Sequence, residues 1–192
     1  MGVTPKDVPA GPGEGKPQYA LVAYVRDELG RFVEGLRSEL FQEHSHLAAH
    51  ITVLPPRVIC RSEQDAISEL RAALKPEAPF EVSLGSVESF FPTTPTVFIR
   101  VDGAAERFRQ LHTRLNTGAF CFEEQWNYVP HLTIVKMPGM PQAAAAFRVT
   151  QTRWAAFPGA RRLRVQELTF VREDRQSNHW VDLARFPLQP VL

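Results

Sequence analysis

Two tripeptides, His50-Ile51-Thr52 and His131-Leu132-Thr133, place an imidazole and a hydroxyl at the same spacing, each within a run of β-branched and apolar residues. In an extended strand the side chains of residues i and i+2 share one face. Each tripeptide would therefore present its His and Thr together and turn the middle residue away, and Val53 and Ile134 continue that alternation. Histidine is the side chain whose ordinary pKa lies nearest neutrality. A pair of them can share one reaction: a neutral imidazole takes a proton from an attacking hydroxyl or water, and a protonated one gives a proton to the leaving oxygen. The threonine hydroxyls would donate to the non-bridging oxygens of a phosphoryl group, whose charge must be held in the transition state. The chemistry this suits is phosphoryl transfer without a metal, and the repetition suggests an internal duplication bringing both imidazoles to one site.

Other candidates carry less. His44 and His46 with His50 have a His-x-His spacing that occurs in zinc sites, but no nearby carboxylate or thiolate cluster completes a ligand set. A place near a helix C-terminus explains the first two equally well, so no metal and no cofactor is expected. His112 and His179 have no repeated partner and read as surface or packing residues. Phe91, Trp126 and Tyr128 could stack on a base, with core packing as the alternative, which is preferred for Phe90. Arg57 and Lys136 follow the two motifs and would add positive charge to a cleft, or simply end their strands. Arg161-Arg162-Leu163-Arg164 could follow an RNA backbone or protect a strand edge with charge.

The elements that must position these groups follow from apolar periodicity. Residues 19–25 form a compact apolar run and predict a buried strand. Helical spacing follows over 27–41 through Leu29, Phe32, Val33, Leu36 and Leu40. The first motif strand covers 48–54, stopped by Pro55-Pro56. Ser62 reads as an N-cap with Asp65 three positions on, opening a helix to about residue 74. Strands are expected at 80–90 and 96–101 around a Pro-Thr-Thr-Pro turn, then a helix over 104–115 and a loop over 116–125. The second motif strand spans 130–136, and an Ala-rich helix 142–147. Residues 162–172 and 179–183 predict a closing antiparallel pair. Strand, helix, strand, helix, strand thus occurs in the first half and recurs loosely in the second.

Composition bounds the rest. At 192 residues with a formal net charge of +1, the chain can bury a sizeable core and lacks the global field of a protein that coats duplex DNA. No apolar run reaches the roughly 18 residues of a membrane span, and residues 1–17, rich in Pro and Gly, read as a flexible lead-in. A cytoplasmic monomer is expected. Cys60 and Cys121 are far apart in sequence; a single bridge stays open, and free thiols are the simpler reading.

AHITVL and PHLTIV resemble the signature of the 2H phosphoesterases, which include 2′-5′ RNA ligase-like proteins and cyclic phosphodiesterases. The resemblance covers residues 19–188. It implies an α+β fold: bilobal, duplicated βαβ-type units whose mostly antiparallel sheets form a concave central cleft, as one domain over 18–192. It further implies metal-independent cleavage, or reversible formation, of phosphodiesters at the ribose 2′ position, on 2′,3′-cyclic phosphate RNA ends or small cyclic nucleotides. His50 and His131 would be acid and base, and Thr52 and Thr133 phosphate ligands, with Tyr128, Phe91, Arg57 and Lys136 as further substrate contacts. The alternative is a module that binds nucleotides or RNA ends with little catalysis.

Overall fold

The computed structural model describes residues 16–44, 47–174 and 179–189. Most of the expected lead-in, His46 and the side chain of His44 lie outside the described residues, and the zinc reading lies there with them.

Strand β1 (Tyr19–Tyr24) alternates as its sequence demands: Tyr19, Leu21 and Ala23 enter the main core, while Ala20 and Val22 face the other side in a small separate cluster. Helix α1 (Glu28–Leu40) begins at Asp27, whose carboxylate accepts from the Gly30 amide at 3.2 Å. Gly30 itself is required, since a Cβ there would sit 1.9 Å from the Val25 carbonyl oxygen. Strand β2 (His50–Arg57) follows, then α2 (Glu63–Leu74), started by Ser62 accepting from Asp65 N at 3.1 Å as the cap signal predicted. Strands β3 (Phe80–Ser89) and β4 (Thr96–Gly103), α3 (Ala105–Leu115) and β5 (His131–Lys136) lead to α4 (Met140–Ala155). Strands β6 (Arg162–Val165), β7 (Glu167–Asp174) and β8 (His179–Pro187) are the last elements among the described residues.

All eight strands join one antiparallel sheet in the order β6-β3-β4-β5-β2-β1-β7-β8, with the two motif strands adjacent at its centre. Only Gln166 separates β6, at one edge, from β7, beside the other edge. In a flat sheet those strands would stand six spacings apart, roughly 29 Å. A single intervening residue spans no more than about 7 Å, so the sheet must curl, and the curl makes a concave face.

Three sequence expectations are corrected. Pro55-Pro56 does not stop the first motif strand, because β2 carries an irregularity in its pairing with β1 between Leu54 and Arg57 and proline is tolerated at such points. Residues 162–172 are not one strand but two, paired at opposite ends of the sheet. The Ala-rich helix runs on to Ala155, and buries Trp154, whose indole donates to Gly85 O at 2.8 Å. Arg162 and Arg164 are exposed on the edge strand β6, where charge discourages further pairing.

Candidate active site

Strands β2 and β5 are paired at a single position, Ile51 opposite Leu132. In an antiparallel pair that register sets His50 across from Thr133 and Thr52 across from His131. The two imidazoles are then diagonal neighbours on one face, on the order of 7–8 Å apart at the backbone. Burial confirms the facing: both strands begin with the same pattern, in which His and Thr are half-buried and the residues between and after them are buried.

Each ring is fixed by its own strand. His50 Nδ1 donates to Ala48 O at 2.8 Å, and His131 Nδ1 to Val129 O at 2.6 Å. A carbonyl can only accept, so Nδ1 carries the hydrogen and Nε2 is the ring nitrogen that this bond leaves over. The surroundings differ. Tyr24 stands edge-on to His50 with ring centroids 6.4 Å apart, whereas His131 lies between Phe90 and Phe98, each centroid at 5.0 Å. Burial pushes both imidazoles below the ordinary histidine pKa, and at His50 the charges of Arg37 and His131 push the same way. The carbonyl bonds oppose the shift at both rings.

Behind the rings the two copies share a second device. Between the pairs Val22–Thr52 and Leu21–Leu54, strand β2 has one extra residue, Val53; between Phe98–Thr133 and Val97–Val135, strand β5 has Ile134. A bulge directly after each threonine bends the strand and re-aims its side chains. Side chains meet the carbonyls at both bulges. Tyr128 Oη donates to Thr52 O at 2.6 Å and His112 Nδ1 to Val53 O at 2.8 Å. In the second copy Arg37 serves both: Nη2 to Thr133 O and Nε to Ile134 O, each 2.9 Å.

A cleft of about 670 Å³ opens on this face, lined by His50, Thr52, Thr133, Lys136, Arg37 and Tyr24 among others, and continuing past Val22 and Val171 to Glu173 and Trp180; His131, between its two phenylalanines, stands outside that lining. That volume suits a ligand of nucleotide size. Of the expected substrate contacts only exposed Lys136 reaches it. Arg57 is fully buried, its donors taken by Pro55 O, Phe120 O, Asn116 Oδ1 and, at 2.5 Å, Glu124 Oε1. Tyr128 packs against the main core with its ring stacked on His112, centroids 4.1 Å apart. Phe91 leans on Phe147 at 6.2 Å, away from the cleft, and Trp126 is 60% exposed. Phe90, read as a core residue, instead walls His131.

Among the described residues no three His, Cys, Asp or Glu side chains gather as a metal site, and Cys60 and Cys121 are free and exposed. No helix among them is long and apolar enough to cross a membrane. The sequence reading missed Arg37 and Tyr24. Arg37 had a signal, a charge on the apolar stripe of α1, four residues after Val33 and three before Leu40. Tyr24 had one too, the cleft-side period Ala20, Val22, Tyr24.

A family model described as the 2′-5′ RNA ligase superfamily matches residues 25–177, which include both motifs. A protein of Oceanobacillus iheyensis named as a phosphoesterase is 28% identical over 123 residues, 62% of this chain and 70% of that one. One so named in Staphylococcus haemolyticus is 24% identical over 157 residues, 81% and 90% of the two chains. Escherichia coli LigT, solved with NADP+, superposes with a TM-score of 0.60 at 16% identity, over 92% of this chain and 100% of LigT. Kluyveromyces marxianus Usb1 gives 0.51 at 10% identity, over 90% and 99%. At those identities the likeness is one of fold.

Proposed function

From the premise that the chain belongs to the 2′-5′ RNA ligase superfamily of 2H phosphoesterases, we propose that its cleft hydrolyses 2′,3′-cyclic phosphates, at RNA ends or on small nucleotides, without a metal. One neutral imidazole takes a proton from water as its oxygen bonds to phosphorus. The bond from phosphorus to one ribose oxygen breaks, and the other imidazole, protonated, gives that oxygen its hydrogen. Thr52 and Thr133 donate to the non-bridging oxygens. The products are a ribose hydroxyl and a phosphomonoester on the neighbouring oxygen. With a ribose hydroxyl in place of water, the same groups in the same roles break the bond from phosphorus to O3′ and make a 2′-5′ linkage, and they exchange roles when that linkage is cleaved back to the cyclic phosphate.

The single observation that carries this reading is the crossed register, which sets each imidazole beside the other copy's threonine on one face of the sheet, the face on which His50, Thr52 and Thr133 line the cleft. The fixed Nδ1 of each ring supports it, since both leave Nε2 free. The extra repulsion that Arg37 exerts on a proton at His50 favours His50 as the base in hydrolysis and His131 as the acid. E. coli LigT has been solved with 3′-AMP and with ATP, which supports a nucleotide in a cleft of this size.

The test is phosphorus NMR of the purified protein with each of the four nucleoside 2′,3′-cyclic phosphates, with and without a chelator. Turnover to a monophosphate that survives chelation is expected. Tight binding of adenosine monophosphate with no turnover of any cyclic phosphate would overturn the enzymatic reading and leave a binding module.

A further inference from the structure

Where β2 and β5 part from their one shared pair, a buried cation spans the gap. Arg37 is 3% exposed. Besides Thr133 O and Ile134 O on β5, its guanidinium donates through Nη1 to the carbonyl of Leu47, three residues before His50. All three acceptors are main-chain carbonyls. Glu34, one turn earlier in α1, spends Oε1 on the Ala49 amide at 2.8 Å, so the same helix grips the approach to His50 twice. A buried charge costs several kcal/mol, offset for Arg37 only through space by Glu34, and an uncharged donor could satisfy a carbonyl at less cost, as the Tyr128 hydroxyl does in the first copy. Arg37 also lines the cleft.

We infer that Arg37 is a positioning residue of the reaction, fixing the separation of the two His-x-Thr strands and setting a permanent positive charge beside the anion the cleft receives. The first role needs a rigid planar fork with donors in several directions, which lysine lacks. Misplacing reacting groups by about 1 Å can cost on the order of 100-fold in rate. The second role needs only the charge, which opposes a proton on His50. The inference rests on the phosphodiesterase reading of the cleft for its kinetic consequence, but not for its electrostatic one.

Arg37→Lys and Arg37→Met separate the two roles. Kinetics on a nucleoside 2′,3′-cyclic phosphate, an NMR titration of the imidazole ring protons, and the affinity for inorganic phosphate are measured on all three proteins. Arg37→Lys is expected to lose about 30- to 100-fold in kcat with KM little changed, while His50 titrates as in the wild type. Arg37→Met is expected to lose as much in kcat, bind phosphate more weakly, and raise the His50 midpoint but not that of His131. Wild-type kcat in Arg37→Lys overturns the geometric role. An unmoved His50 midpoint with unchanged phosphate affinity in Arg37→Met overturns the electrostatic one. Should Arg37→Met not fold, Arg37→Lys still decides the first. Should the wild type itself turn over no cyclic phosphate, it is the phosphodiesterase reading that fails, and titration and phosphate binding still judge Arg37.

Discussion

On the cleft face the first motif strand is bordered by Val22 and Tyr24 of β1, the second by Phe98 and Arg100 of β4, at equivalent positions in the register. Tyr24 is held by its hydroxyl on Asp182 Oδ1 at 2.7 Å, and Arg100 by Glu88 and Asp102 at 2.7 and 2.6 Å. Within the strands the copies match closely: the ring bond to the carbonyl two residues back, the hydroxyl two residues on, and the bulge after it. Outside them they diverge. An aromatic–imidazole stack supports the first bulge, and an arginine from a distant helix supports the second. The local backbone that aims each His-Thr pair is thus held constant while its supports are interchangeable. The two histidines share one geometry but have different electrostatic neighbours, a difference that the proposed division into acid and base requires.

The most direct way to break that comparison is to remove one ring at a time. His50→Ala and His131→Ala are each expected to lower kcat/KM by about 10²–10⁴, and the double variant to lose much less than the product, because the rings act as a unit. Additive losses in a double-mutant cycle would show two independent groups. In wild type, kcat/KM should be bell-shaped in pH, with its optimum on the acid side of about 6.5, because both rings are pushed below the ordinary value. An optimum well above neutrality would contradict the burial of the rings. One step smaller are Thr52→Val and Thr133→Val, each expected to cost about 10²-fold in kcat as a lost donor to the transition state. Equal losses support matched copies; a loss at one alone would confine phosphate binding to half of the site.

What the sequence made legible follows from periodicity. Alternation in residues 50–53 and 131–134 located both strands and their faces, Ser62 marked a helix start, and 19–25 a buried strand. The bulges were also written there: Val53-Leu54 and Ile134-Val135 are consecutive apolar residues, all buried, where strict alternation wants only one. The substrate contacts were less legible, because exposure is decided by distant partners. Arg57 follows its motif as a groove residue would, but Glu124 and Asn116, more than fifty residues away, draw it inside. Tyr128 is drawn off in the same manner by His112 and Thr52 O. The split of residues 162–172 depends on the curl of the whole sheet, which no local pattern encodes.

The supports of the first bulge offer a milder test. Tyr128→Phe keeps the stack on His112 but deprives Thr52 O of its donor, at a cost of about 1–3 kcal/mol in stability if the carbonyl stays dry. Activity is expected to fall several-fold in kcat, since the neighbouring Val53 O keeps its bond from His112 and the bulge survives. A urea unfolding curve and a Michaelis–Menten series check both. A kcat loss as large as that of Arg37→Lys would mean the two bulges are equally dependent on their supports, and the contrast between them would disappear.

The smallest expected effect concerns stability against pH. Because the folded protein holds both imidazoles below their unfolded pKa, the unfolded chain binds more protons in the window between the two values. The contribution of each ring is therefore complete above about pH 6.5 and is lost as pH falls through that window. Unfolding free energies at about pH 7.5 and about pH 5 should differ less in His50→Ala and in His131→Ala than in the wild type. The larger relief is expected in His50→Ala, since at His50 the charges of Arg37 and His131 add to burial. Relief of the same size at both rings would mean that burial alone sets their titration, and that the arginine between the strands acts through geometry and not through charge.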